Sequence, residues 1–311
     1  EAYKLEKILM KKIIALAVAA AVAAPAMADL TIGASARYQI DNGTYTAGTD
    51  AVAENLAQGG TFGALATNPS TSDTAASTNR VLVSFSGSTT AESGLFVSTA
   101  ATLQLAGAAT STDGDNAITI GNDMANVVLG YFEPAGVFNS GADQFQNGAF
   151  NAGYEDSLRD REANNIGVNV TAVENLTLQV STNVDSQDNI RTVVGYDFGA
   201  FAVTAGLDSY DGAKNGTSLS VSTELAGVAL AASMGERGAA KSTNINASYM
   251  GFGIALQNDE TSSTAKEQEI YGSYSVANAG GVEGFTVTVG AGDSDAAGVD
   301  TRYGVRLDYA F

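Results

Sequence analysis

Polar and apolar residues alternate along most of this chain with a period of two. The final stretch, VDTRYGVRLDYAF, shows the pattern. Val299, Tyr303, Val305, Leu307, Tyr309 and Phe311 share one parity, and Arg302, Arg306 and Asp308 share the other. Successive side chains of a β-strand point to opposite faces, so the alternation predicts a strand with one apolar and one polar face. Such runs, bounded by Gly, Asn, Asp and Ser, occur near residues 30–40, 80–87, 94–105, 116–121, 126–131, 162–172, 176–183, 190–198, 201–209, 216–225, 228–235, 242–250, 252–259, 267–276, 284–292 and 300–311. That makes about sixteen strands. No helical period appears after residue 28, and no internal linker divides the chain.

The connections alternate in character. Phe198-Gly199-Ala200-Phe201, Leu225-Ala226-Gly227-Val228 and Met250-Gly251-Phe252 allow tight turns, whereas YDGAKN at 210–215, GERGAAK at 235–241 and DETSSTAK at 259–266 read as longer polar loops. Short turns at one end and longer loops at the other are the habit of a transmembrane β-barrel, and an even strand count puts both chain ends on the short-turn side. Phe85, Phe198, Phe201, Phe252, Phe285, Tyr309 and Phe311 fall near the short turns on the apolar faces, as an interfacial aromatic girdle would. The other faces carry Ser35, Arg37 and Gln39; Thr177, Gln179 and Ser181; Ser218, Ser220, Ser222 and Glu224; and Asn244, Asn246 and Ser248. Sixteen strands closed on themselves leave a water-filled lumen and no open edge, which a bilayer requires. A soluble β-sandwich with Phe-rich strand ends is the competing reading of the same alternation.

The N-terminal residues change the compartment. Met10–Ala28 reads MKKIIALAVAAAVAAPAMA: Lys11 and Lys12, an apolar run, and the small-x-small site Ala26-Met27-Ala28. This is the form of a secretory signal peptide, with an apolar run too short to span a membrane. The expected organisation is residues 1–9 upstream of the natural start, 10–28 as signal peptide and 29–311 as one β-barrel domain. There is no Cys, so no disulfide supports the exported chain. Four Lys and two Glu lie in residues 1–28; the remainder has 11 basic and 32 acidic side chains, a net charge of −21. Such a surface repels a phosphate backbone, which argues against nucleic acid as a partner.

Four segments carry a family likeness: the leader followed by Asp29-Leu30-Thr31-Ile32-Gly33, NRVLVSFSGSTTAESGL from Asn79 to Leu95, NVVLGYF from Asn126 to Phe132, and the terminal Tyr309-Ala310-Phe311. With the strand count, they make the chain resemble the Gram-negative general porins, the trimeric sixteen-stranded type. The resemblance implies an outer-membrane channel for passive diffusion of ions and small hydrophilic solutes, not an enzyme. It implies both termini in the periplasm, contact with outer-membrane lipid and lipopolysaccharide, a homotrimer, and an aromatic C-terminus (Tyr309, Phe311) read by the assembly machinery.

In that family the third loop folds into the barrel and narrows it. Glu133 to Asp160 matches it in position, following the fifth strand with about 28 residues of no strand pattern. It carries Glu133, Asp143, Glu155, Asp156 and Asp160, with Arg159 near its end. By the resemblance these acids face Arg37, Arg80, Arg302 and Arg306 on neighbouring wall strands, and the two sets form a pore constriction with a transverse field. Arg161 and Arg191 share the inward parity. The chain departs from the family in short loops after the seventh, ninth, eleventh and thirteenth strands and a long first loop, Asp41 to Asn79.

Other chemistry finds little support. There is no His, so neither a Ser-His triad nor a His-ligated metal can form. Asp293-Ser294-Asp295-Ala296-Ala297-Gly298 starts like a calcium loop, but Ala297 takes the fifth ligand position and Gly304 that of the closing Glu. Asp113-Gly114-Asp115-Asn116 reads as a turn. No cofactor is expected beyond incidental calcium on an acidic outer loop. The function expected is a general diffusion porin with weak cation preference; the alternatives are a substrate-specific outer-membrane channel or a secreted β-sandwich surface protein.

Overall fold

The computed structural model describes residues 29–42, 76–106, 109–112, 116–132, 134–137, 163–184, 189–210, 215–238, 240–260, 266–295 and 301–310. The strands are β1 (Asp29–Asn42), β2 (Ala76–Thr90), β3 (Phe96–Ala106), β4 (Ala109–Thr112), β5 (Asn116–Gly121), β6 (Ala125–Phe132), β7 (Ala163–Val170), β8 (Leu176–Asn183), β9 (Asn189–Asp197) and β10 (Ala202–Tyr210). They continue with β11 (Gly216–Leu225), β12 (Val228–Arg237), β13 (Ala240–Tyr249), β14 (Phe252–Glu260), β15 (Lys266–Ala277), β16 (Phe285–Ser294) and β17 (Arg302–Ala310).

Every pairing is antiparallel, nearly all of them join consecutive strands, and the sheet closes where β1 pairs with both β2 and β17. β4 and β5 both lie along β3, Leu103 opposite Thr112 and Phe96 opposite Gly121, so they are two halves of one interrupted stave. The barrel therefore has sixteen staves. This is the all-β closed fold that the alternation predicts, and a single closed sheet is not a sandwich.

Its burial pattern inverts that of a soluble protein. Buried side chains on the described strands are mostly polar, among them Gln39, Asn165, Ser181, Ser242, Asn244, Gln257 and Thr288. Ile32, Ile40, Ile245, Phe252, Ile254, Ile270, Tyr303 and Val305 stand exposed on the outside. The inward parity is polar and the outward parity apolar, the reverse of the distribution that surrounding water selects in a soluble fold. The hydrogen-bond ladder that runs around the closed sheet stands in for a hydrophobic core as the element that unites the chain.

The tightest hairpins follow from two adjacent left-handed residues. Ala226 (φ 53) and Gly227 (φ 81) join β11 to β12, and Met250 (φ 47) and Gly251 (φ 86) join β13 to β14. Positive φ at both central positions is the type I′ turn, whose twist matches that of the strands it joins. Aromatic rings cluster beside the short connections. Phe198 and Phe201 stack at 4.7 Å, Tyr196 meets Phe198 edge-on at 4.6 Å, and Phe252 stacks on Tyr274 at 4.2 Å.

Two expectations need correction. Phe85 lies in the body of β2, because that strand runs on to Thr90, so it does not flank a turn. GERGAAK is largely strand: β12 extends to Arg237 and β13 begins at Ala240, with Glu236 opposite Lys241 in register. Asp293 and Asp295 serve hydrogen bonds within the chain: Asp293 accepts from Thr301 Oγ1 at 2.9 Å and Asp295 accepts from the Gln268 amide at 2.6 Å.

Candidate functional site

The inner wall of the barrel is built from the inward parity of each strand, and three stretches of it are organised. The first is the seam between β1 and β17. Arg37 lies opposite both Arg80 on β2 and Asp308 on β17, and Gln39 lies opposite Arg306. Arg37 donates through Nε to Asp308 Oδ1 at 2.5 Å, and Arg306 donates through Nε to Asp308 Oδ2 at 2.7 Å. One carboxylate thus bridges two guanidinium groups from adjacent strands, with Gln39 buried alongside. The structure brings Arg37 and Arg306 together as the sequence suggests and sets Arg80 beside Arg37 in register. Arg302 lies opposite Gly292 of β16. Nothing is described of the Arg80 and Arg302 side chains. The sequence reading gave Asp308 inward parity but missed its role: the patch is not a bare row of cations but a trio with net charge +1.

The second stretch spans β7 to β10 and carries the start of the long insertion. Beyond β6 the chain turns onto the inner wall, and Pro134 and Val137 are buried there. The Phe132 carbonyl accepts from Asn165 Nδ2 at 2.6 Å. The Ala135 amide donates to Gln179 Oε1 at 2.6 Å, and its carbonyl accepts from Arg191 Nε at 2.8 Å. Arg191 is also paired with Asp208 on β10 at 3.4 Å, their side chains only 4% and 0% exposed. Glycines on the inward parity make room. A Cβ on Gly206 would lie 2.8 Å from Val137 Cγ2, and one on Gly167 would lie 3.0 Å from Phe132 Cζ. The expected inward fold of the third loop is thus present in its first residues. Glu133, Asp143, Glu155, Asp156, Arg159, Asp160 and Arg161 lie outside the described residues, as does Phe311, while Tyr309 faces outward on β17. Sequence reasoning missed Asn165 and Asp208; the signal available was glycine on an inward parity that elsewhere carries polar side chains.

The third stretch, β13 to β16, is a polar ladder. Ser242 Oγ donates to Asp259, which also accepts from Gln257 Nε2 at 2.7 Å. Asn244 donates to Gln257 and to the Tyr271 hydroxyl, each at 3.3 Å, and accepts from Asn246 at 2.9 Å. Ser275 and Thr288 are 2.9 Å apart. These rungs cross-link strands through the groups that would otherwise be desolvated without partners.

No protein-family model and no curated protein matches the sequence. Solved structures do. Vibrio cholerae OmpT in a trimer form superposes with a TM-score of 0.63 at 10% identity, covering 91% of this chain and 99% of that one. Salmonella typhi OmpF, in complex with daunomycin, gives 0.61 at 13%, covering 91% and 97%. The anion-selective porin of Comamonas acidovorans gives 0.60 at 14%, covering 91% and 100%. With its sixteen closed antiparallel staves, apolar outside and polar inside, the chain has the fold of the outer-membrane porins.

Proposed function

We propose that the protein is a general diffusion porin: a passive, water-filled channel across a bacterial outer membrane for ions and small hydrophilic solutes. The observation that carries this reading is the inverted polarity of a closed sixteen-stave barrel, polar on its inward faces and apolar on its outward ones. Such a barrel is wide enough to keep an aqueous lumen, and its outer face suits hydrocarbon. The proposal includes a homotrimer, as one OmpT structure is described. It also includes periplasmic termini and contact with outer-membrane lipid and lipopolysaccharide. The substrate-specific alternative differs in one respect: its conductance should saturate and compete with a particular solute. Single-channel recording in planar bilayers tests the choice. Stepwise currents that rise linearly with salt and ignore added solutes support the general channel, and absence of steps overturns the reading.

The constriction belongs to the same proposal, with Arg37, Arg80, Arg302 and Arg306 on the wall and Glu133, Asp143, Glu155 and Asp156 on the loop. An acidic chain focuses cations in a low-dielectric-walled lumen, so weak cation preference is expected. Changing the four loop acids to amides should move the reversal potential in a salt gradient toward anions, with a smaller shift at high salt. Asp308→Asn should move it the same way, because it leaves two arginines without their shared carboxylate. Removing Arg37 and Arg80 should move it toward cations. No movement with the loop amides would put the constriction elsewhere.

Assembly by recognition of the aromatic end, Tyr309 with Phe311, is proposed on the resemblance. Deleting Phe311 should lower the amount in the outer membrane while leaving unchanged the conductance of the molecules that do insert. Normal surface levels in fractionated membranes would count against it.

A further inference from the structure

We propose that the β7–β10 wall is a dock for the long insertion and that Arg191 is its positioning residue, so that the width of the lumen at this height is set by Arg191. The inference rests on the channel reading above and adds the part that holds the obstruction in place.

Four observations converge on one spot. The backbone of Ala135 is held at both ends, its amide by Gln179 and its carbonyl by Arg191. Arg191 is held in turn by Asp208, both side chains almost fully buried, so the guanidinium is fixed by charge from one side and reads the loop with the other. Val137 is one of the few buried apolar residues among those described, and Val193 of β9 is another. Gly206 leaves the space that Val137 fills. An ion pair facing open water would be solvated and weakly held. This one is covered, and the group it presents inward is a donor to the loop backbone. Ala135 is recognised by its main chain alone, so the dock tolerates its side chain but not a shift in its position. Arg191 is not a lining charge of the pore: its charge is balanced by Asp208, and it acts through the loop.

The geometry supplies a test. A Cβ added at Gly206 lies 3.7 Å from Val137 Cβ, within the roughly 3.5–4.5 Å that a disulfide spans. The chain has no Cys, so Val137→Cys with Gly206→Cys gives one possible bridge. Ser218→Ala is added as background, because Ser218 Oγ is 2.5 Å from the new Cβ.

Oxidation of the purified, detergent-folded triple variant should form the bridge nearly completely, read by mass spectrometry of the digested chain. Its oxidised conductance should equal that of the Ser218→Ala parent. Arg191→Gln in the reduced triple variant should replace the single open level by several sub-levels with increased open-channel noise, and oxidation should restore the single level. Arg191→Lys, which keeps the charge but not the fork of donors, should give intermediate noise. A bridge that fails to form in folded barrels overturns the dock. Arg191→Gln channels as quiet as the parent, or noise that oxidation does not remove, overturn the role of Arg191. If the parent itself passes no current, the channel reading fails and the width-setting role falls with it, while the cross-link still decides whether the dock exists.

Discussion

Val305→Arg is expected to destabilise the folded barrel by about 2–4 kcal/mol if the position lies near the bilayer midplane. Val305 is in the middle of β17, opposite Ile40 on β1 and Val289 on β16, and all three are exposed on the outer face. Together they form an apolar band in which a guanidinium finds neither water nor a counter-charge. The neighbouring residue gives the control. Arg306 carries that group on the inner face, held by Asp308. Equilibrium unfolding of the variant in lipid vesicles by denaturant measures the cost. Single cysteines at 305 and 306 test the geometry beneath it: a water-soluble thiol reagent should label position 306 and spare 305. Equal labelling would refute this register.

The second large effect is expected at Gly130. Its φ of 131 is one that a residue with a side chain rarely adopts. A Cβ there would run into the carbonyl oxygen of Asn116 on β5 and come within 3.1 Å of Ala117 Cα. Both obstacles are backbone, and β5 cannot move without breaking its pairing to β3 or β6. Gly130→Ala should therefore cost at least ~1–3 kcal/mol of backbone strain, with the clash added. Gly33→Ala is the matched control on β1. It has open space around the new methyl group, and replacing a glycine without strain typically gains about 0.4–1 kcal/mol through the unfolded chain. The midpoint of heat-modifiable gel migration should fall for Gly130→Ala and hold or rise for Gly33→Ala. Equal midpoints would mean that β5 and β6 are not packed as described.

The staves were legible because lipid and water impose opposite chemistry on alternate residues. β17 is the plain case, with Tyr303, Val305, Leu307 and Tyr309 on one parity and Arg306 and Asp308 on the other. β4 escaped because Ala109-Thr110-Ser111-Thr112 has no large apolar side chain to mark a face. The ends of β12 and β13 escaped for a related reason. Glu236, Arg237 and Lys241 lie at the rim, where both faces meet water and alternation loses its cause. The site was legible only where it depended on side-chain type. Arg37 and Arg306 could be placed on adjacent walls by parity and closure. That Asp308 would sit between them needed the register across the seam, which no local pattern encodes. The contact of Arg191 with Ala135 left no trace in the sequence because its target is backbone, and every residue has a carbonyl.

The seam has a kinetic consequence. Hairpins such as β11–β12 and β13–β14 close over two residues, the kind of step that takes about 1–10 μs in isolation. The pairing of β1 with β17 joins residues as far apart as Arg37 and Asp308, 271 positions along the chain. The entropy of closing so long a loop is lost before any contact compensates for it, so this pairing forms last. Until then the sheet is an open ribbon with two bare edges and a greasy face, the form most prone to aggregate or be cut by proteases. The Arg37–Asp308–Arg306 trio is thus the clasp of the barrel, and substitutions there should lengthen the life of the open ribbon during biogenesis more than they loosen the finished barrel.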